Sequence, residues 1–197
     1  MKGKRRLINE ILEIEQQMLA LVSSQERAVV HDKPETFKVV RECSFELWSV
    51  QALQSYLLDL KNAQSKGINL LTLKYARMDD LVPPMNADPL IDNIIQIESS
   101  WEAEAKKRYP NIFRDASCFD EEDRERSLRY LRAEFETFSN QTLSYYYINQ
   151  LEALRENRNL VEEALTSIFQ RIGYLNLEEV NLFFDPDRNL FVPEQGY

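Results

Sequence analysis

The chain has 197 residues, of which 44% are hydrophobic and 29% charged, with only 4 glycines and 7 prolines. That composition supplies a core for one domain, or for two small ones sharing it, and too few turn-formers for a fold of many short strands. The net charge of −9 argues against a nucleic-acid partner, which needs a basic face to neutralise phosphates.

A small basic cluster, Lys2, Lys4, Arg5 and Arg6, opens the chain. It could touch a membrane or an acidic partner, but a solvated helix start is the plainer reading. The next segment carries Glu10, Glu13 and Glu15, unlike the apolar core of a signal peptide. No apolar run approaches the roughly 18 residues a membrane span needs. The 2 cysteines, Cys43 and Cys118, form no C-x-x-C pair, as expected in a reducing compartment. The expectation is a soluble cytoplasmic protein with no membrane partner.

In chain order, periodicity and punctuation predict helices at 5–24, 33–47, 50–66, 70–80, 89–108, 121–137, 140–157 and 160–172. A short ninth element covers 177–184. Asp32 with Glu35, Asn159 with Glu162 and Asn176 with Glu179 have capping-box spacing. Asp88–Pro89 reads as an N-cap and first helical residue. Gly67 and Gly173 stop helices in the left-handed conformation, and Pro110 ends another after Tyr109. Ser49, Ser139, Asn69 and Asn159 each precede an apolar-periodic run and read as N-caps.

The eight longer helices form two sets of four. Leu7, Ile8, Ile11, Ile14 and Glu15 match Leu90, Ile91, Ile94, Ile97 and Glu98 at an offset of 83. Phe45, Glu46, Ser49, Leu53, Tyr56, Ala63, Asn69 and Leu70 match Phe135, Glu136, Ser139, Leu143, Tyr146, Ala153, Asn159 and Leu160 at an offset of 90. The extra residues fall after the first helix of the second copy, where a longer connection is expected around Phe113 to Asp120. The reading is an all-α fold: two pseudo-repeated four-helix units packed as one bundle-like domain. The first unit covers 1–82 and the second 88–174. A short helix and an extended tail fill 175–197.

Two features carry candidate chemistry. Ile8, Leu12, Leu19 and Val22 follow one helical stripe, and Glu15 sits on it. Ile91 and Ile95 lead to Glu98 in the same slot. A glutamate on an apolar stripe is costly unless paired, protonated or metal-bound. Arg41, Arg129, Tyr56 and Tyr146 are candidate partners. Alternatively, both glutamates line one cleft between the units and bind a cation or an amine, or share a proton. Lys74, Tyr75 and Arg77 break the internal symmetry, because their counterparts are Ala164, Leu165 and Ser167. They form either a solvated face with Tyr75 packed, or an anion or carboxylate site of the first unit.

Other chemistry has little footing. A di-iron bundle needs two Glu-x-x-His motifs, and the single histidine, His31, has no glutamate three before it. An all-helical magnesium site would pair Glu10 and Glu13 with acids in the second copy, which has Asn93 and Gln96. His31 beside Asp32 reads as part of a capping loop. Trp48, Trp101 and Tyr145 to Tyr147 read as core aromatics rather than a cofactor box. No phosphate loop, zinc spacing or nucleophile elbow occurs, so no metal and no cofactor is expected.

The stretch from Phe37 to Met78 contains Arg41, Phe45, Trp48, Ser55, Tyr56, Asp59, Leu60 and Gly67. It continues with Asn69, Lys74, Tyr75, Ala76, Arg77 and Met78. The second half adds Tyr130, Leu131, Arg132, Glu134, Ser139, Thr142 and Leu143. Together these resemble the bacterial domain-of-unknown-function family 4125 over about Leu7 to Tyr174, with Lys74 to Met78 the most specific piece. One departure lies at Val29 to His31, where the family pattern is more polar and carries a cysteine. The resemblance implies a bacterial cytosolic protein and supplies no activity, cofactor or site.

Two functions follow from the residues. One is a binding module for a small polar ligand or a protein partner in a cleft between the repeats, using Glu15, Glu98, Arg41, Lys74, Tyr75 and Arg77. The other is an enzyme with a buried glutamate as acid or base and Lys74 and Arg77 as anion holders. An enzyme needs these groups in one pocket; a scaffold would instead show an exposed apolar patch. Asn189 to Tyr197, with Leu190, Phe191 and Val192, is too apolar for a free tail. It is expected to lie extended along its own body or along a second subunit, the latter giving a homodimer.

Overall fold

The computed structural model describes residues 2–22, 34–114 and 121–186. Among them are nine α-helices and no strand: α1 (Lys2–Ala20), α2 (Pro34–Glu46), α3 (Val50–Ser65), α4 (Leu70–Met78), α5 (Leu90–Arg108), α6 (Glu121–Glu136), α7 (Asn140–Arg155), α8 (Leu160–Arg171) and α9 (Leu177–Phe183). The expectations for His31, Asp32, Val29, Cys118 and Asn189 to Tyr197 fall outside the described residues. No described helix is long and apolar enough to cross a membrane.

Local chemistry sets the ends of these helices. Ser49 and Ser139 share the same extended dihedrals, φ −67° and ψ 157°, and accept the amides of Ala52 and Thr142. Asn69 accepts the amides of Leu71 and Thr72, and Asn159 those of Val161 and Glu162. Each such cap contributes about 1 kcal/mol. The side-chain amide of Asn69 then donates to the Met18 carbonyl at 2.8 Å, and that of Asn159 to the Trp101 carbonyl at 2.9 Å. Asp88 accepts the Leu90 amide at 2.9 Å while Pro89 already has helical dihedrals.

Gly67 ends α3 at φ +68°, and Asn157 does the same for α7 at φ 54°. Asparagine tolerates that conformation because its short polar side chain bonds locally. One capping-box expectation needs correcting. Asn159 caps as expected, but the Glu162 carboxylate turns outward to Arg108 at 2.6 Å instead of returning to the cap.

The longer second connection expected around Phe113 to Asp120 lies mostly outside the described residues. The end of the helix that precedes it is described. At an offset of 83, α1's end at Ala20 corresponds to Ala103, yet α5 runs on to Arg108. Residues 104–108 are Glu, Ala, Lys, Lys and Arg, strong helix formers with the cations toward the C-terminus, where the helix dipole favours them.

Within the first set, α1 packs on α2, α3 and α4; within the second, α5 packs on α6, α7 and α8. The sets also interlock. α3 packs on α7, α4 on α6 and α2 on α8, so the second helix of each set docks on the fourth of the other. Arg77 of α4 reaches Glu136 of α6 at 2.8 Å, and Arg171 of α8 reaches Glu46 of α2 at 2.8 Å. Asp59 of α3 crosses to the start of α7. It accepts the Ser139 amide at 3.1 Å and hydroxyl at 3.0 Å, and the Thr142 hydroxyl at 2.6 Å.

Six aromatic rings fill the centre between the sets. Trp48 lies 4.7 Å from Tyr146, and Phe138 lies 4.8 Å from Tyr56. Phe45 meets Trp48 edge-on at 85°, as Phe135 meets Phe138 at 85°. Such pairs contribute about 0.5–1.5 kcal/mol beyond the area they bury. Trp101 is buried in a smaller cluster with Ala153 and Leu160. The aromatic residues that resemble a cofactor box are thus core side chains or, for Tyr145 and Tyr147, partly buried against the core.

Candidate functional site

Glu15 is completely buried on α1. The Arg41 guanidinium of α2 donates to both of its carboxylate oxygens, through Nε at 2.9 Å to Oε2 and through Nη2 to Oε1. The Tyr56 hydroxyl of α3 donates to Oε1 at 2.7 Å. The third nitrogen of Arg41 turns to Glu134 of α6, 2.9 Å from its Oε1. The other Glu134 oxygen pairs with the Lys74 ammonium of α4, which lies 3.6 Å from the centre of the Tyr130 ring. A chain Glu15–Arg41–Glu134–Lys74 therefore crosses the interior and ties together α1, α2, α6 and α4. Two carboxylates face two cations, so the chain is neutral overall.

Burial alone would push the Glu134 carboxyl up, but Arg41 and Lys74 more than offset it and hold it at about 2. The same carboxylate raises Lys74 against the lowering effect of burial. Burial, then the adjacent Glu15 carboxylate, drive the Tyr56 phenol far upward, so it stays a donor.

Glu98 on α5 is partly buried and differently served. The Tyr146 hydroxyl of α7 donates to its Oε1, and so does the Gln150 amide at 2.9 Å. No arginine takes the place of Arg41. At an offset of 90 that position is Leu131, and Gln150 stands where the first set has Leu60. The candidate partner Arg129 is exposed to solvent. Burial raises the Glu98 carboxyl, and the two neutral donors do not reverse it.

Glu15, Arg41 and Lys74 come together in one network, while Glu98 belongs to a separate one. Tyr75 is buried next to Lys74, whose ammonium lies 5.8 Å from its ring. Arg77 holds Glu136 at 2.8 Å and Asp80 at 2.6 Å. The reading of Lys74 to Arg77 as a solvated face is therefore corrected: Lys74 is 2% exposed, and both cations hold carboxylates of α6. Sequence reasoning missed Glu134 as a partner. Its signal was present, because it lies on the apolar stripe of α6 with Leu131 and Phe135. Gln150, fully buried, carried a weaker signal of the same kind.

Arg41, Lys74 and Arg77 thus have carboxylate partners within the chain. Among the described residues, no three of His, Cys, Asp and Glu gather as a metal site. Two shallow surface depressions lie elsewhere. One lies beside α9, among Tyr174, Asn176, Glu178, Glu179, Leu182 and Phe183. The other lies on α1, among Arg5, Arg6, Asn9, Glu10 and Glu13.

Fold and site together define an all-helical protein whose interior ionic chain joins its two interlocked halves. The model of a family described as Protein of unknown function (DUF4125) matches residues 5–182, and the chain belongs to that family. No curated protein and no solved structure matches it.

Proposed function

We propose that the chain is a non-catalytic binding module of the bacterial cytoplasm, built by duplication of a four-helix unit, and that it docks a protein partner on its α8–α9 face. The observation that carries this reading is the contrast between interior and surface. The ionic chain is closed and neutral, so it offers a ligand no free charge. The outer face instead presents Ile172, Leu175, Leu182 and Phe183 at 63%, 77%, 52% and 50% exposure. Apolar side chains gathered so openly mark an interaction surface.

The acids Glu178 and Glu179 flank that face, and no lysine or arginine occurs from Ile172 to Pro186. A partner segment with apolar side chains and positive charge fits it. The enzyme reading has less support, because Lys74 and Arg77, its proposed anion holders, already hold Glu134 and Glu136. A small polar ligand between the units meets the same objection. The duplication is supported by the paired caps, the paired Tyr–Glu bonds and the matched ring contacts of the two sets.

The test uses an amphipathic helical peptide of leucine and lysine, titrated by fluorescence anisotropy. Binding is expected to weaken about tenfold in Phe183→Ser and in Glu178→Lys, with unchanged helix content by circular dichroism. Equal affinity for all three proteins, or for a peptide with glutamate in place of lysine, overturns the reading.

A further inference from the structure

We propose that the depression beside α9 is an arginine pocket: it takes the guanidinium of one arginine carried by the docked partner and so distinguishes arginine from lysine. The proposal rests on the docking reading above and names the group that the α8–α9 face recognises.

The pocket joins two chemistries. Tyr174, Leu182 and Phe183 supply its apolar lining, and Asn176, Glu178 and Glu179 its polar lining, around a volume of about 380 Å³. Pockets for small ligands run upward from roughly 300 Å³, so this one suits a single side chain. Tyr174 belongs to a row of rings. Phe169 lies 5.9 Å from Tyr174 and Tyr174 lies 5.7 Å from Phe183, crossed at 85° and 65°. Phe183 stays 50% exposed, so part of its ring is open to a group from outside. The face of an aromatic ring is negative and attracts a cation.

Each carboxylate is held in place through one of its oxygens. Glu178 accepts the Tyr109 hydroxyl on Oε1 at 3.1 Å. Glu179 accepts the Leu175 amide on Oε2 at 2.7 Å, and its own amide donates to Asn176 Oδ1 at 2.9 Å. The basic residues nearest in sequence before the pocket are engaged elsewhere. Arg108 holds Glu162 at 2.6 Å, and Arg171 holds Glu42 at 2.6 Å and Glu46 at 2.8 Å. With no lysine or arginine from Ile172 to Pro186, the pocket offers two carboxylates to a cation brought from outside.

A guanidinium suits this lining. It is planar and weakly hydrated, stacks on aromatic faces and carries five N–H donors in a fork. It can lie against the rings while donating to Glu178 Oε2 and Glu179 Oε1. The ammonium of lysine is compact and strongly hydrated, so it surrenders more water for the same contact. A bare divalent cation fits worse, because it takes about six oxygen ligands and three of the six lining residues are aromatic or aliphatic. A free small cation is weakly held, because the pocket is shallow. An arginine on a partner helix gains the remaining contact from Ile172 and Leu175 beside it.

The experiment compares the leucine–lysine peptide with versions in which one lysine at a time becomes arginine, titrated against the full chain by fluorescence anisotropy. One position is expected to gain about fivefold, the size of one exposed cation–π contact. Citrulline, the neutral isostere, should bind more weakly than lysine at that position. Tyr174→Leu keeps apolar bulk and should abolish the arginine gain. Glu178→Gln keeps an acceptor for Tyr109 and should narrow the gap between arginine and citrulline. Ile172→Ser, outside the pocket, should weaken all the peptides alike. Circular dichroism checks that each variant is folded. As a direct probe, N-acetyl-arginine amide should shift the backbone amide NMR signals of residues 174–183, and N-acetyl-citrulline amide should not.

No position that prefers arginine, or a preference that survives both Tyr174→Leu and Glu178→Gln unchanged, overturns the proposal and leaves the docking reading standing. Failure of every peptide to bind overturns the docking reading, and the direct probe then decides the pocket. Shifts confined to residues 174–183 and lost in Tyr174→Leu uphold the arginine site. Their absence in the wild-type chain overturns it.

Discussion

Glu15 and Glu98 stand at matching positions on α1 and α5, and each accepts a hydrogen bond from a tyrosine of the third helix in its set. Beyond that bond the two differ. Glu15 is fully enclosed and faces the Arg41 guanidinium, which continues through Glu134 to Lys74. Glu98 keeps some exposure and relies on the neutral amide of Gln150. The same carboxylate slot can thus be served by a full counter-charge or by neutral donors with partial solvation. The first is the tighter tie and the more fragile one, since losing one partner leaves another charge buried.

Removing the shared carboxylate tests this most severely. Glu134→Gln leaves Arg41 and Lys74 buried without it and is expected to cost about 3–5 kcal/mol, the usual penalty for breaking a buried pair, read as a lower urea midpoint. The Glu134 carboxyl titrates at about 2 in the folded chain, below its ordinary value of 4.5. Its stabilisation is therefore complete above the unfolded value and is lost as pH falls from there through about 2. The stability difference between wild type and variant should shrink over that window. A constant difference from pH 6 to pH 2 would contradict the pairing.

Arg41→Leu copies the Leu131 of the second set. It should destabilise by a similar or slightly smaller amount, about 3 kcal/mol. Adding Leu60→Gln, which copies Gln150, should recover part of that loss by giving Glu15 a neutral donor. No recovery in urea melts of the double variant would show that the two slots are not interchangeable.

Tyr56→Phe removes one buried donor and should cost about 1–1.5 kcal/mol. Tyr146→Phe should cost less, because Glu98 keeps Gln150 and some water. Equal losses in paired melts would argue that the cation beside Glu15 makes no difference to its tyrosine.

The smallest effect carries the opposite sign. Burial raises the folded pKa of Glu98. A raised carboxyl favours the fold fully below the unfolded value, and that advantage is lost as pH rises through the folded value. Glu98→Gln keeps an acceptor for Tyr146 and Gln150 without the charge. It should therefore match or slightly exceed wild type in thermal stability at pH 7 and lose that advantage near pH 4. A variant less stable than wild type at pH 7 would sink this account.

Much of this molecule was legible in the chain. Helix spans and ends followed from local rules: serine and asparagine before apolar runs, Gly67 and Gly173 after them, and Pro89 at a helix start. These act within a few residues, so no tertiary information was needed. Glu15 was also legible, because a carboxylate on the stripe of Ile8, Leu12 and Leu19 had to be answered by something, and Arg41 and Tyr56 were among the candidates.

Partners brought from far along the chain were less legible. Lys74 looked able to face water because the periodicity of a nine-residue helix does not say which neighbour covers it. Only the docking of α4 on α6 buried it and delivered Glu134. Arg129 and Gln150 both lay within reach of the second slot by spacing alone. The packing of α7 on α5 turned Gln150 inward, while Arg129 remained in solvent. Periodicity determines which side of a helix is apolar. The identity of the helix lying on that side depends on how the two sets interlock, a long-range outcome that no local pattern encodes.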